Sequence, residues 1–179
     1  VVNKIYKYIE SQYRTHDIEW RDKFLFVADD DIPEYPKNCD RFEKIIDTSM
    51  LTASVDKIYT DSYVRTKVAD GYLYPEATQD LINKIEEGRL FITYTGHGGV
   101  KGLTNEGLFR EEHIKSLKNI DNMPFVHTGT CEFSKFDDPM YVSAGEQLFL
   151  NPNGGAIGMI TTTRPTQISP NYSVGLYLY

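Results

Sequence analysis

The chain has little cysteine: Cys39 and Cys131 are the only two in 179 residues. Two thiols cannot make a disulfide scaffold, and at most one Cys39–Cys131 bridge is available. Positive charge is also in short supply. Lys and Arg number 19 against 26 Asp and Glu, for a net charge of -7. That excludes the basic face a nucleic-acid partner would require. No apolar run approaches the roughly 18 residues of a membrane span. Internal repeats, low-complexity tracts and a signal-peptide pattern are missing too, and residue 1 is Val, not Met. Residues 171–179 read as an unfinished helix, so the expectation is a piece excised from something longer. What is present fits one domain over residues 1–179: 40% hydrophobic and 25% charged residues, with length enough for a substantial core.

Apolar, β-branched runs at 23–28, 55–60, 91–95, 125–130 and 154–160 read as strands. Helical spacing appears at 3–13, 39–51, 75–88, 111–117 and 143–150. Pro75 starts one helix, and Ser143-Ala-Gly-Glu146 is a capping box opening another. Phe42, Ile45, Ile46 and Met50 form the expected inner face of the 39–51 helix. Residues 32–38, with two prolines, read as loop, as do 61–74 and 100–104. Strands alternating with helices predict an α/β fold: a parallel sheet flanked by helices on both faces.

Two strands stop at residues that carry chemistry. Phe91-Ile-Thr-Tyr-Thr95 runs into Gly96-His97-Gly98-Gly99, and Phe125-Val-His-Thr-Gly-Thr130 runs into Cys131. A helix between them makes a parallel βαβ unit, which brings His97 and Cys131 to the carboxyl edge of the sheet. Open α/β sheets place their sites at that edge. A thiol and an imidazole there form a Cys-His nucleophile pair. Gly98 and Cys131 could offer backbone N–H groups to an oxyanion. The competing readings are a buried structural Cys131, an exposed His97 in a tight turn, or a phosphate-cradling glycine loop. That last reading lacks a following helix and a Lys. No second His or Cys stands at metal-ligand spacing from either residue. His127 alternates within a strand and reads as a hydrogen-bonded core residue. His113 reads as helix surface and His16 as polar loop. Asp29-Asp30-Asp31 also end a strand. One of them could orient His97, line a specificity pocket or bind a structural calcium ion. An acidic cluster after a first strand is also compatible with a receiver-like domain, but the later strands end at Cys131 and Thr161 rather than at Lys. A non-catalytic binding module is therefore the rival class.

Several segments in order carry a family likeness. Tyr94-Thr-Gly-His-Gly-Gly99, Thr130-Cys-Glu-Phe-Ser-Lys-Phe-Asp-Asp-Pro139, Ser143-Ala-Gly-Glu146, Leu150-Asn-Pro-Asn-Gly-Gly-Ala156 and Thr161-Thr-Thr-Arg164 resemble the gingipain family of cysteine peptidases. They are most similar to its sortase branch, the protease of the Bacteroidetes type IX secretion system. Tyr74-Pro-Glu-Ala77 fits the same branch, and the resemblance runs from about residue 24 to 164. It implies a caspase-like fold with His97 as general base, Cys131 as nucleophile, and the Gly98 and Cys131 amides as oxyanion hole. No cofactor is required. It also implies removal of C-terminal signals from secreted cargo and attachment of cargo to surface lipopolysaccharide. Other secretion components would be partners, at the cell surface or outer membrane. Asp30 and Asp31 are the candidates by position for a third acidic or pocket residue. Thr95, Gly129 and Arg164 are candidates for the pocket wall, giving an expected preference for small or polar residues at the cleavage position. A secreted protease without a sortase role is the alternative within the family.

Overall fold

Three of the apolar runs become the buried middle of one parallel sheet. The computed structural model describes residues 1–11, 13, 18–69 and 71–179; His16 lies outside the described residues. In chain order the elements are α1 (Val2–Ser11), β1 (Lys23–Ala28), α2 (Glu34–Ser49), β2 (Ser54–Tyr59), β3 (Thr66–Val68), β4 (Gly71–Leu73) and α3 (Pro75–Glu87). There follow β5 (Phe91–Thr95), β6 (Gly98–Gly99), β7 (Gly102–Leu103), β8 (Phe109–Arg110), α4 (Glu111–Ser116), β9 (Phe125–Gly129), α5 (Ala144–Leu150), β10 (Gly158–Ile160) and α6 (Ile168–Leu178). The main sheet has the order β10-β9-β5-β1-β2, all parallel. Ala28 pairs with Thr95 and Thr95 with Gly129. The carboxyl ends of the three inner strands are therefore level, and residues 29, 96 and 130 leave the sheet side by side.

Both faces of the sheet are covered, as the strand-helix alternation requires. Leu25 and Val27 of β1, with Ile92, Tyr94 and Val126, pack against Leu81 and Ile85 of α3, Ile114 of α4 and Leu148 of α5. The alternate residues Phe24, Phe26 and Ala28 face Tyr35, Cys39, Phe42 and Ile46 of α2, joined by Tyr172 of α6 and Tyr179 just past its end. Each such aromatic or aliphatic side chain contributes on the order of 1.5–3 kcal/mol by leaving water. Among the described residues no helix is long and apolar enough to cross a membrane.

Several expectations need correction. Residues 32–38 are mostly helix, because α2 begins at Glu34. Pro33 sits at its N-cap and Pro36 in its first turn, where a missing N–H has no intrahelical acceptor to lose. Met50 is not in the core but 39% exposed. The 61–74 segment contains the β3–β4 hairpin, and 98–110 folds into a small antiparallel sheet, β6-β7-β8. Within 154–160 only Gly158–Ile160 is strand. Cys39 and Cys131 are both free thiols, so there is no bridge. Helix α1 is turned the other way from a surface helix. Its buried residues are Lys4 and Ser11, while Val2, Ile5, Tyr6 and Ile9 are exposed. The cause is a pair of hydrogen bonds from Lys4 Nζ to the carbonyls of Phe149 and Ala156, at 2.7 and 2.9 Å. Burial lowers the Lys4 pKa to about 8.

Candidate active site

His97 stands in the first turn after β5, and its backbone is gripped from two directions. Its N–H donates to Asp29 Oδ2 at 3.1 Å, and its carbonyl accepts the Tyr94 hydroxyl at 2.5 Å. Thr104 N–H donates to the same carbonyl at 2.9 Å. Asp29 and Tyr94 are each 1% exposed. Gly96 makes this grip possible. A Cβ there would lie 2.5 Å from Asp29 Cβ and 2.3 Å from the Tyr94 hydroxyl oxygen. Burial pushes the Asp29 pKa up to about 6, against the two backbone N–H bonds from His97 and Asp30. The imidazole itself remains open to solvent. Its Nε2 lies 3.8 Å from Asp31 Oδ2, both side chains being 42% exposed. The Tyr35 ring meets it edge-on, 5.7 Å between centroids.

Cys131 stands two residues beyond β9. Glu132 next to it has φ +49°, a left-handed conformation uncommon for a residue with a side chain. The reversal sends the chain back under the end of β10. Ser134 N–H donates to the Thr162 carbonyl at 3.0 Å, and the Thr162 hydroxyl donates to the Thr130 carbonyl at 2.5 Å. Thr128 and Thr161 share a hydroxyl bond of 2.7 Å. The Cys131 thiol touches Thr166, accepting its N–H at 3.4 Å and donating to its carbonyl at 3.6 Å. Among the described residues the Cys131 N–H has no acceptor.

The two side chains line one cavity of about 350 Å³, with Ile32, Tyr35, Gly129, Thr166 and Ile168 among its walls. Gly98 is packed on Thr130, where a Cβ would come within 2.5 Å of the hydroxyl. It faces Leu103 in the β6–β7 ladder, and the neighbouring bond runs from Thr104 N–H to the His97 carbonyl. That alternation makes Gly98–Leu103 a non-hydrogen-bonded pair, so the Gly98 N–H points away from β7.

The other candidate residues are dispersed. Asp30 turns from His97 and accepts the Tyr74 and Thr60 hydroxyls at 2.7 and 3.0 Å. Burial pushes its pKa up, but these bonds outweigh it and leave the group below its ordinary value. Thr95 is buried, donating to the Tyr35 carbonyl at 2.9 Å and touching the Cys39 thiol at 3.4 Å. It faces α2 rather than the cavity. Arg164 is also off the cavity, forked onto the Asp137 carboxylate on the surface. Gly129 is a wall. His127 is 2% exposed beside the Thr93 hydroxyl, and burial lowers its pKa to about 4. His113 Nδ1 accepts the Arg110 N–H and caps α4. Carboxylate oxygens of Asp29, Asp30 and Glu106 gather within 4.8 Å; Asp31 is not one of them, and both Asp30 oxygens already hold hydroxyls. Tyr94, Tyr35 and Thr166 escaped the sequence reading. Tyr94 meets Asp29 65 residues away, Tyr35 lay in a segment read as loop, and Thr166 acts through its backbone.

A family model described as peptidase family C25 matches residues 1–179. No curated protein matches the chain. Among solved structures, the Arg-specific cysteine proteinase gingipain R is similar over 97% of this chain and 39% of its own, at 18% identity and a TM-score of 0.75. The complex of Porphyromonas gingivalis RgpB pro- and mature domains is similar over 97% of this chain and 40% of its own, at 17% identity and a TM-score of 0.75. The chain thus spans about two fifths of the gingipain chains it matches, and it shares their caspase-like fold.

Proposed function

The chain belongs to peptidase family C25, a family of cysteine peptidases, and we propose that its site is an acyl-transfer centre with Cys131 as nucleophile and His97 as base. The observation that carries this is the shared cavity: both residues leave adjacent, level strands and open into the same space. In the proposed reaction the thiol gives its proton to the imidazole as Sγ bonds to a peptide carbonyl carbon. The carbonyl oxygen takes the negative charge and is held by the N–H groups of Gly98 and Cys131. The imidazolium then protonates the departing amine as the C–N bond breaks. Water or an amine acceptor resolves the thioester. Asp31 beside Nε2 favours the tautomer that leaves Nδ1 free to act as base. The thiol must first leave Thr166, so the described arrangement is a resting one.

Among the described residues the cavity walls carry no carboxylate, which favours an uncharged, small or polar side chain at the cleavage position. On the sequence resemblance, the biological reaction is removal of C-terminal signals from type IX cargo at the outer membrane, with transfer to surface lipopolysaccharide as its amine-resolved form. In the protein carrying this domain, Cys131→Ala should abolish peptide hydrolysis and cargo processing while the thermal melt stays within about 1 kcal/mol of wild type. Processing at the normal rate in that variant would refute the assignment. The second reading, a binding module that uses the same edge without chemistry, is favoured by the contact of the thiol with Thr166 instead of His97. It requires that wild type hydrolyse nothing.

A further inference from the structure

A larger hollow, about 740 Å³, opens on the other side of the His97 loop. Its lining includes the glycine-rich main chain from Gly98 to Gly102, with Arg110, Glu112, Tyr141 and Val142. The volume falls within the roughly 300–1,000 Å³ of sites that enclose a small molecule. Both walls are continuous in sequence with the catalytic candidates. One follows directly from His97; the other, through Tyr141 and Val142, belongs to the connection that follows Cys131. A hydrogen bond from Ala144 N–H to the Val100 carbonyl, 2.7 Å long, ties the two walls together. The groove therefore begins where the site ends, with Gly98 as the shared boundary.

The lining favours a polypeptide in extended form. Strand β6 is the outer strand of its small sheet, and in the non-hydrogen-bonded Gly98–Leu103 pair the Gly98 carbonyl also points outward, available for pairing with another chain while its amide faces the oxyanion. Gly99 has nothing within 4 Å of where a Cβ would stand, so a second backbone can approach closely. Tyr141 and Val142 are 59% and 61% exposed, an apolar surface suited to side chains of such a strand. The charges of Lys101 and Arg110 are balanced by Glu111 and Glu112, so the groove does not select one sign.

We infer that this groove is the binding site for the substrate segment on the leaving-group side of the scissile bond, laid as an extended strand along Gly98 and Gly99 against Tyr141 and Val142. The inference rests on the reading of Cys131 as nucleophile. The cavity beside that thiol must hold the residue that becomes the acyl group, and the groove lies across Gly98 from it.

Fluorogenic peptides with Ser or Thr before the scissile bond, lengthened residue by residue on either side, test this. Lengthening on the leaving-group side should raise kcat/KM about tenfold, and lengthening on the acyl side should not. Tyr141→Ala with Val142→Ser should abolish the gain and leave the shortest substrate unaffected. A gain confined to the acyl side, no gain, or a gain that survives the double variant would overturn the groove. If wild type cleaves none of the peptides, the nucleophile reading fails first. The groove is then judged separately by titrating the longest leaving-side peptide into Cys131→Ala protein and following amide shifts. Shifts at residues 98–102 and 141–142 support it, and their absence overturns it.

Discussion

Cys39 and Cys131 are chemically identical, and the sheet gives them opposite environments. Cys39 lies inside α2, fully buried, between the Val27 carbonyl and the Thr95 hydroxyl, and burial pushes its thiol up to about 12. Cys131 lies past the end of a strand, partly exposed, on the wall of a cavity. The first packs as a small apolar group. The second meets solvent and its own backbone amide, which is unpaired among the described residues. What separates them is whether the backbone delivers the side chain to the interior or to the open carboxyl edge.

The most direct way to break this comparison is alkylation. Iodoacetamide at neutral pH should modify Cys131 about 100-fold faster than Cys39, which reacts only when the fold opens. Equal rates, followed by mass spectrometry of the two peptides, would show that the buried and open environments are not maintained in solution. The next largest effect concerns the grip on His97. Asp29→Ala removes the acceptor of the His97 N–H, and peptide hydrolysis should fall by about 10–100-fold from misplacement of the base. Asp29→Asn keeps an acceptor oxygen and should recover most of the rate. An Asp29→Ala enzyme as fast as wild type would show that the grip does not position the base.

The contrast between buried and open groups can also be read in pH. His127 titrates near 4 when folded and 6.5 when free. Its contribution is complete above pH 6.5 and is lost as pH falls toward 4, roughly 3 kcal/mol at most. Asp29 titrates near 6 when folded and 3.8 when free. It favours folding fully only below 3.8, and that advantage disappears as pH rises to 6. The two slopes oppose each other. Removing one should expose the other: His127→Gln should lose stability from pH 4 to 6, and Asp29→Asn should gain it. Urea unfolding across that range checks both, and two parallel curves would discount the shifted titrations. The smallest effect is that of Cys39→Ala, which should cost about 1 kcal/mol in the same measurement and leave hydrolysis unchanged.

The five main strands, and the placement of His97 and Cys131 on the walls of one cavity at the carboxyl edge, could be read from sequence. Runs such as Phe24 to Ala28 are apolar on both faces, and parallel strands with level ends bring their following residues together whatever the details. The short strands could not be read. Thr66–Val68 is exposed throughout and shows no alternation, and two residues at Gly98–Gly99 carry no period. The start of α2 was hidden by prolines whose effect depends on their place in the first turn. Apolar spacing found α1 but not its orientation, which depends on where Lys4 finds carbonyls more than a hundred residues away. Thr95 and Arg164 were plausible walls from strand position alone. Whether a residue at a strand end faces the cavity or α2 is decided by side-chain direction and by partners such as Asp137.

The grip on His97 has a consequence for proton traffic with water. An amide in a surface turn ordinarily trades its hydrogen for deuterium quickly. At His97 that hydrogen points at a carboxylate that solvent scarcely reaches. It can be exchanged only when Asp29 and the loop separate, so its rate reports an opening event and not local accessibility. In deuterated solvent the residue would keep its hydrogen on the timescale of the strands behind it, although it belongs to neither of them.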